Sequence, residues 1–182
     1  MLASIERTYS ENGRHFPVEH YKTRIKAPGS VKAKLERLGL EQTIESAASN
    51  LFDLVGVRIV CRFFNEVYEL AQMFQKLNGI EVKQIKDYVK NPKPNGYRSV
   101  HLILQLPVAV SGQTYMQYAE VQLRTIAMDF WASLEYELKY KKNIPDSKLI
   151  SDELKRCADE IISVDVTMQS IYEWLNQCPP AE

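Results

Sequence analysis

The 182-residue sequence predicts an α+β domain, in which a mixed, mostly antiparallel sheet of about four or five strands is flanked by helices. Three observations predict it. Segments that alternate apolar and polar residues recur through the middle of the chain, turns rich in Gly, Pro and Asn separate them, and the last third carries apolar residues at helical spacing.

Taken in order, Arg24 and Lys26 project from one side of an extended lead-in, Ser30 stands where it would cap a basic helix from Val31 to Leu38, and residues 44–52 read as a short helix. From Leu54 to Phe64, Val57, Ile59, Cys61 and Phe63 alternate with Gly56, Arg58, Val60 and Arg62, which reads as a strand with Asp53 at its entrance. Asn65 is placed to cap a helix carrying Val67, Leu70, Ala71, Phe74 and Leu77, closed by Asn78-Gly79. Ile80 to Val89 reads as a second strand, Asn91 to Gly96 as a turn, and Arg98 to Leu106 as a strand with Val100, Leu102 and Leu104 on one face. After the Ser111-Gly112 turn, Tyr115 to Arg124 alternates again, with Ala119, Val121 and Leu123 on one face and Glu120, Gln122 and Arg124 on the other. Helices from Ile126 to Lys142 and from Ser151 to Leu175 finish the chain.

Composition narrows the function. With 23 basic and 23 acidic residues, 45% hydrophobic residues and a mean hydropathy of −0.30, the chain is of ordinary globular type and has no whole-molecule attraction for a polyanion. Any anion is met by a local patch, and residues 14–37 supply one, with seven basic residues against two acidic; residues 152–182 have the reverse. No apolar run reaches the roughly 20 residues of a membrane span, and the start lacks the apolar core of a secretory signal, which points to the cytoplasm. Cys61, Cys157 and Cys178 form no CxxC pair, against a disulfide framework or a zinc site, and Cys61 reads as core.

Three groups of residues offer chemistry. Ser30, Lys34 and Arg37 would share a helix face, and with Arg24 and Lys26 they suit a polyphosphate; the alternative is a solvated basic face. Asp53 and Glu120 would share one magnesium ion if their strands are neighbours; the alternative is a turn residue and a solvent-facing strand residue. Between Lys90 and Ser99, Tyr97 stands among Lys90, Lys93 and Arg98, where a purine would stack while the cations meet its phosphates; the alternative is a tight turn into a strand. His15, His20 and His101 have no evident Ser or Cys partner, and no phosphate-binding glycine pattern occurs.

The segments HYKTRIKAPGSVKAKLER, FDLVGVRIVCRF, KDYVKNPKPNGYRSVHL and AEVQLRTIAMDFWASLEYELKYK, in that order, resemble the RelA/SpoT-type alarmone synthetases, and most of all their small, single-domain branch. The likeness runs from Phe16 to Lys142, and NGYRSVH followed by ExQxRT and FWASLE is a specific signature. The resemblance implies a nucleotidyltransferase-like fold in a single synthetase domain over residues 1–182, with 16–142 the catalytic core and 148–176 a C-terminal helix. It implies transfer of pyrophosphate from ATP to the 3′-hydroxyl of GDP or GTP, giving AMP and (p)ppGpp, in the stringent response.

Carried over by position, Asp53 and Glu120 match the family's Mg2+ ligands and, with Arg58, its catalytic residues. Arg24, Lys26, Ser30, Lys34, Arg37 and Arg58 match the ATP pocket, Tyr97 the ring that stacks on the acceptor guanine, and Lys93, Arg98, His101 and Gln122 the supporting GDP/GTP contacts. The resemblance further implies a homo-oligomer, with a tetramer favoured, and (p)ppGpp or single-stranded RNA as a regulator. Tyr136 stands where many relatives have His. A rival reading is a guanine-nucleotide or single-stranded RNA binding module of the same fold with little catalysis. A second rival is a nucleotidyltransferase that releases pyrophosphate from ATP rather than AMP.

Overall fold

The computed structural model describes residues 1–140 and 147–177. Helices and strands follow in the order α1 (Leu2–Glu11), β1 (Val18–Ile25), α2 (Pro28–Arg37), α3 (Ile44–Asn50), β2 (Val55–Cys61), α4 (Phe64–Gln75), β3 (Glu81–Asp87), β4 (Val100–Val110), β5 (Gln113–Thr125), α5 (Ile126–Tyr140) and α6 (Ser147–Gln177). One five-stranded sheet has the order β1-β2-β5-β4-β3. Among the described residues only the β2–β5 pairing is parallel, so the sheet is mixed and mostly antiparallel, as anticipated.

Period-two alternation divides the sheet into two faces. Val57, Ile59 and Cys61 on β2, Val121 and Leu123 on β5, and Val100, Leu102 and Leu104 on β4 are buried in one cluster with Val67, Leu70, Ala71 and Phe74 of α4. Each large side chain fully buried there contributes roughly 1.5–3 kcal/mol. Ile5 and Tyr9, one helical turn apart on α1, complete this cluster. Neither α1 nor a full strand at β1 was legible in the sequence, because α1 buries only these two residues and β1 is an edge strand that is exposed over nearly all its length.

Two caps differ from expectation. Asn65 lies inside α4, whose first turn is closed by Glu66 Oε2 accepting from the Arg62 and Phe63 amides; Asn65 instead donates through Nδ2 to Glu173 of α6. Ser30 is likewise the third residue of α2 rather than its cap, because Pro28, which fits the first helical position, starts the helix earlier. The hairpin between β4 and β5 turns through Ser111 (φ 49°) and Gly112 (φ 80°), and that pair of positive φ values matches the twist of the flanking strands. Cys61 is buried, and burial pushes its thiol pKa up, whereas Cys157 is exposed. Cys178 and the anticipated helix end at Lys142 lie outside the described residues.

Helix α6 packs directly on the turn before β4. Gly96 has φ +88°, and a Cβ there would lie 2.5 Å from Ala158 Cβ and 3.2 Å from Lys155 Cα. Gly96→Ala is therefore expected to destabilise the fold by about 2 kcal/mol, read as a lower denaturant midpoint. Adding Ala158→Gly should relieve the 2.5 Å clash, at about 1 kcal/mol for a glycine inside α6, and leave the Lys155 contact and the backbone part.

Candidate active site

The second face of the sheet is polar, and strand register arranges it in rows. Lys22, Arg58, Gln122, His101 and Lys86 are successive neighbours across all five strands. In the next row Arg24, Gly56, Glu120 and Ile103 follow one another. Gly56 carries no side chain between Arg24 and Glu120, and a cleft of about 320 Å³ opens there, lined by Lys22, Thr23, Arg24, Asp53, Gly56, Val57, Arg58, Glu120 and Gln122. The parallel β2–β5 pairing is what brings Asp53, three residues before Gly56, to the same cleft as Glu120.

Asp53 is held by two lysines. Lys26 Nζ donates to its Oδ2 at 2.6 Å, and Lys34 Nζ forms an ion pair with its Oδ1 at 2.8 Å, so each carboxylate oxygen faces an ammonium. Burial works to raise the Asp53 pKa, but the two lysines outweigh it and hold the carboxyl below its ordinary value. Glu120 is also held low, first by the His101 hydrogen bond, against burial, and then by Gln122. Both groups are thus carboxylates near neutral pH, and the charge of Asp53 is felt at Glu120.

Two ionised carboxylates lining one cleft suit a hard divalent cation that takes its other ligands from phosphate and water. Among the described residues no cluster of three or more His, Cys, Asp or Glu forms a closed protein cage. A pair of carboxylates is the donor set of a hard divalent cation rather than of a thiolate- or imidazole-bound metal.

Around Glu120 five side chains close a hydrogen-bonded ring. Arg124 Nη2 donates to Tyr97 Oη at 2.8 Å and to Gln122 Oε1 at 3.1 Å, and Gln122 Nε2 donates to Glu120 Oε2 at 2.8 Å. Tyr97 Oη is 2.8 Å from His101 Nε2, and His101 Nδ1 is 3.0 Å from Glu120 Oε1. The ring closes head to tail when Tyr97 donates to Nε2 and the Nδ1 proton goes to Glu120, which assigns the His101 tautomer from the network. The Tyr97 ring has the Lys93 ammonium 4.8 Å and the Arg124 guanidinium 5.1 Å from its centroid.

The structure thus brings together Asp53, Glu120, Arg24, Arg58 and Gln122 in the cleft, Lys26 and Lys34 behind Asp53, and Tyr97, His101 and Lys93 beside Glu120. Ser30 and Arg37 lie exposed on α2, on the helix face of Lys34, and do not line the cleft. Arg98 Nη1 donates to the Val89 carbonyl and Nη2 to Asp159 of α6, so it braces the turn that carries Tyr97. Sequence reasoning missed Asp129, whose Oδ1 pairs with Arg58 at 3.2 Å and Arg124 at 2.8 Å. It also missed Lys22 and Thr23, which the register of β1 alone reveals. A larger groove of about 550 Å³ among α1, α4 and α6 is lined by groups that satisfy one another, Arg14 with Glu69 and Arg62 with Glu66.

The chain is similar to known proteins in sequence and in fold. Residues 23–145 match the family model described as the region found in RelA/SpoT proteins. The GTP pyrophosphokinase YwaC of Bacillus subtilis is 40% identical over 167 residues, covering 92% of this chain and 80% of the relative. In three dimensions the chain is similar to Bacillus subtilis small alarmone synthetase 1 bound to its product pppGpp, with a TM-score of 0.84 and 28% identity over 97% of this chain and 89% of that one. It is similar to small alarmone synthetase 2 of the same organism, with a TM-score of 0.83 and 37% identity over 94% and 89% of the two chains. The matched region runs from the basic wall through both cleft carboxylates and Tyr97 to the end of α5, and by it the chain belongs to the RelA/SpoT family.

Proposed function

We propose that this chain moves the β,γ-pyrophosphate of ATP to the 3′-hydroxyl of GDP or GTP, giving AMP and (p)ppGpp as its similar GTP pyrophosphokinase relatives do, in the stringent response. The observation that carries it is one cleft with a basic wall at Arg24 and Arg58, backed by Lys26 and Lys34 on Asp53, two carboxylates lining it, and an aromatic platform tied to one of them. The donor triphosphate lies against the basic wall, where Lys26 and Lys34 exchange Asp53 for phosphate oxygens and Arg24 and Arg58 neutralise the charge that spreads in the transition state. Ser30 and Arg37 extend that wall along α2. Asp53 and Glu120 would hold Mg2+, which when bound withdraws charge from the donor phosphates. The acceptor guanine stacks on Tyr97, displacing the exposed Lys93 toward the acceptor phosphates, while the ring through His101 and Gln122 keeps Glu120 aimed at the 3′-hydroxyl. Placement, rather than covalent chemistry, is the protein's contribution.

The synthetase domain spans residues 1–182, with its core at 16–142. Exposed Phe130, Leu134 and Leu138 along α5, and Val164, Met168, Ile171 and Leu175 along α6, form apolar stripes that support a homo-oligomer, a tetramer in our reading, with (p)ppGpp or single-stranded RNA as regulator. No helix of the described residues is long and apolar enough to cross a membrane, which accords with a cytoplasmic enzyme.

Incubating the chain with Mg2+, labelled ATP and GDP or GTP should yield AMP and a more acidic guanosine nucleotide, resolved by anion exchange. Tyr97→Ala should raise the acceptor KM about tenfold or more, the worth of one stacked base, with the ATP KM little changed. Release of pyrophosphate in place of AMP would overturn the reading in favour of nucleotidyl transfer. Binding of both nucleotides without product would favour the binding module.

A further inference from the structure

Asp129 touches neither cleft carboxylate, yet two arginines of the site converge on it. It lies in the first turn of α5, directly after β5, where the helix N-terminus favours a negative charge. Its side chain is 10% exposed, and its Oδ1 contacts both Arg58 Nη1 and Arg124 Nη1. Arg58 lines the donor side of the cleft. Arg124, with a side chain only 4% exposed, holds Tyr97 Oη and Gln122 on the acceptor side.

These guanidiniums sit on adjacent strands and repel. After burial, the charge of Arg124 is the largest influence lowering the Arg58 pKa, and Asp129 opposes both. The two cations, Arg124 buried and Arg58 about one-third exposed, need a shared counter-ion to stay side by side. We propose that Asp129 is the positioning residue that couples the two nucleotide subsites, fixing Arg58 against the donor phosphates and Arg124 beneath the acceptor ring through one carboxylate oxygen. This rests on the donor and acceptor assignment above. Neutralising Asp129 keeps the shape of the side chain but leaves two unbalanced guanidiniums, so Arg58 turns outward and Arg124 releases Tyr97 and Gln122.

Isothermal titration with α,β-methylene-ATP and with GDP tests it on the full chain. Asp129→Asn should weaken both ligands about tenfold, and Asp129→Glu should restore most of each loss. In an Arg58→Met background the added effect of Asp129→Asn on the ATP analogue should vanish while its effect on GDP persists. In an Arg124→Met background the pattern should invert. Loss on one side only, or equal additive losses in every background, would overturn the coupling. Should Asp129→Asn fail to fold, Arg124→Met carries the test, expected to weaken GDP alone; equal weakening of both ligands would overturn the proposal. Failure of the synthetase reading shows separately, as a wild-type chain that binds both ligands and makes neither AMP nor a new guanosine nucleotide.

Discussion

Asp53→Ala is expected to lower turnover by about three orders of magnitude while the chain stays folded. The size follows from the charge stabilisation of several kcal/mol that a correctly held divalent ion supplies, at 1.36 kcal/mol per factor of ten. Its direction follows from the contacts of Asp53. Asp53 is not idle there but balances Lys26 and Lys34, so the substitution removes a cation ligand and also frees two lysines that had been aimed by it. Those lysines remain on the donor wall, so ATP binding without Mg2+ should be unchanged or tighter even as Mg2+-dependent turnover collapses. The measurement is the initial rate of AMP formation against Mg2+ concentration, beside ATP affinity in EDTA. Weaker ATP binding in EDTA would mean that Asp53 serves only to order the basic wall.

What the sequence disclosed and what it concealed follow from how each residue is held. Alternation along Val57 to Cys61 and Ala119 to Leu123 was legible because each strand has one buried face, and it correctly put Glu120, Gln122 and Arg124 on the other. Asp53 and Glu120 are 67 positions apart in the chain; only the parallel β2–β5 pairing, which no local pattern encodes, sets them in one cleft. Tyr97 was evident as an aromatic ring among cations, but its tie through His101 to Glu120 depends on the β4–β5 register. Asp129 gave no signal, since an acidic residue in a helical first turn reads as a dipole partner and its two arginines lie on other elements. The bracing role of Arg98 gave no signal, because charge alone does not say which way a side chain turns. The acidic helix α6, which draws it away through Asp159, is distant in the sequence.

Glu120→Gln should separate cation binding from proton transfer, and we expect a loss of about three orders of magnitude that is chiefly the former. A carboxylate whose pKa lies below its ordinary value, held there first by His101, is a poor acceptor for a hydroxyl proton at neutral pH. The amide preserves size and still accepts from His101 Nδ1 through its oxygen. Its NH2, however, would face Gln122 Nε2, donor against donor, so Gln122 must flip and then oppose Arg124 Nη2. Mg2+ required for half-maximal rate should therefore rise at least tenfold, with the acceptor KM also raised because the ring beneath Tyr97 is disturbed. The pH dependence has a definite sign. Since the folded pKa is depressed below the unfolded value of about 4.3, the carboxylate adds stability above that value and loses it as pH falls through the folded one. Wild-type activity should thus show no limb from this group between about pH 6 and 8, and Glu120→Gln should blunt the acid destabilisation of the fold. If the variant instead bound Mg2+ and both nucleotides as tightly as wild type and lost only kcat, Glu120 would be the proton acceptor. The His101 Nδ1 hydrogen bond would then serve to orient it rather than to keep it ionised.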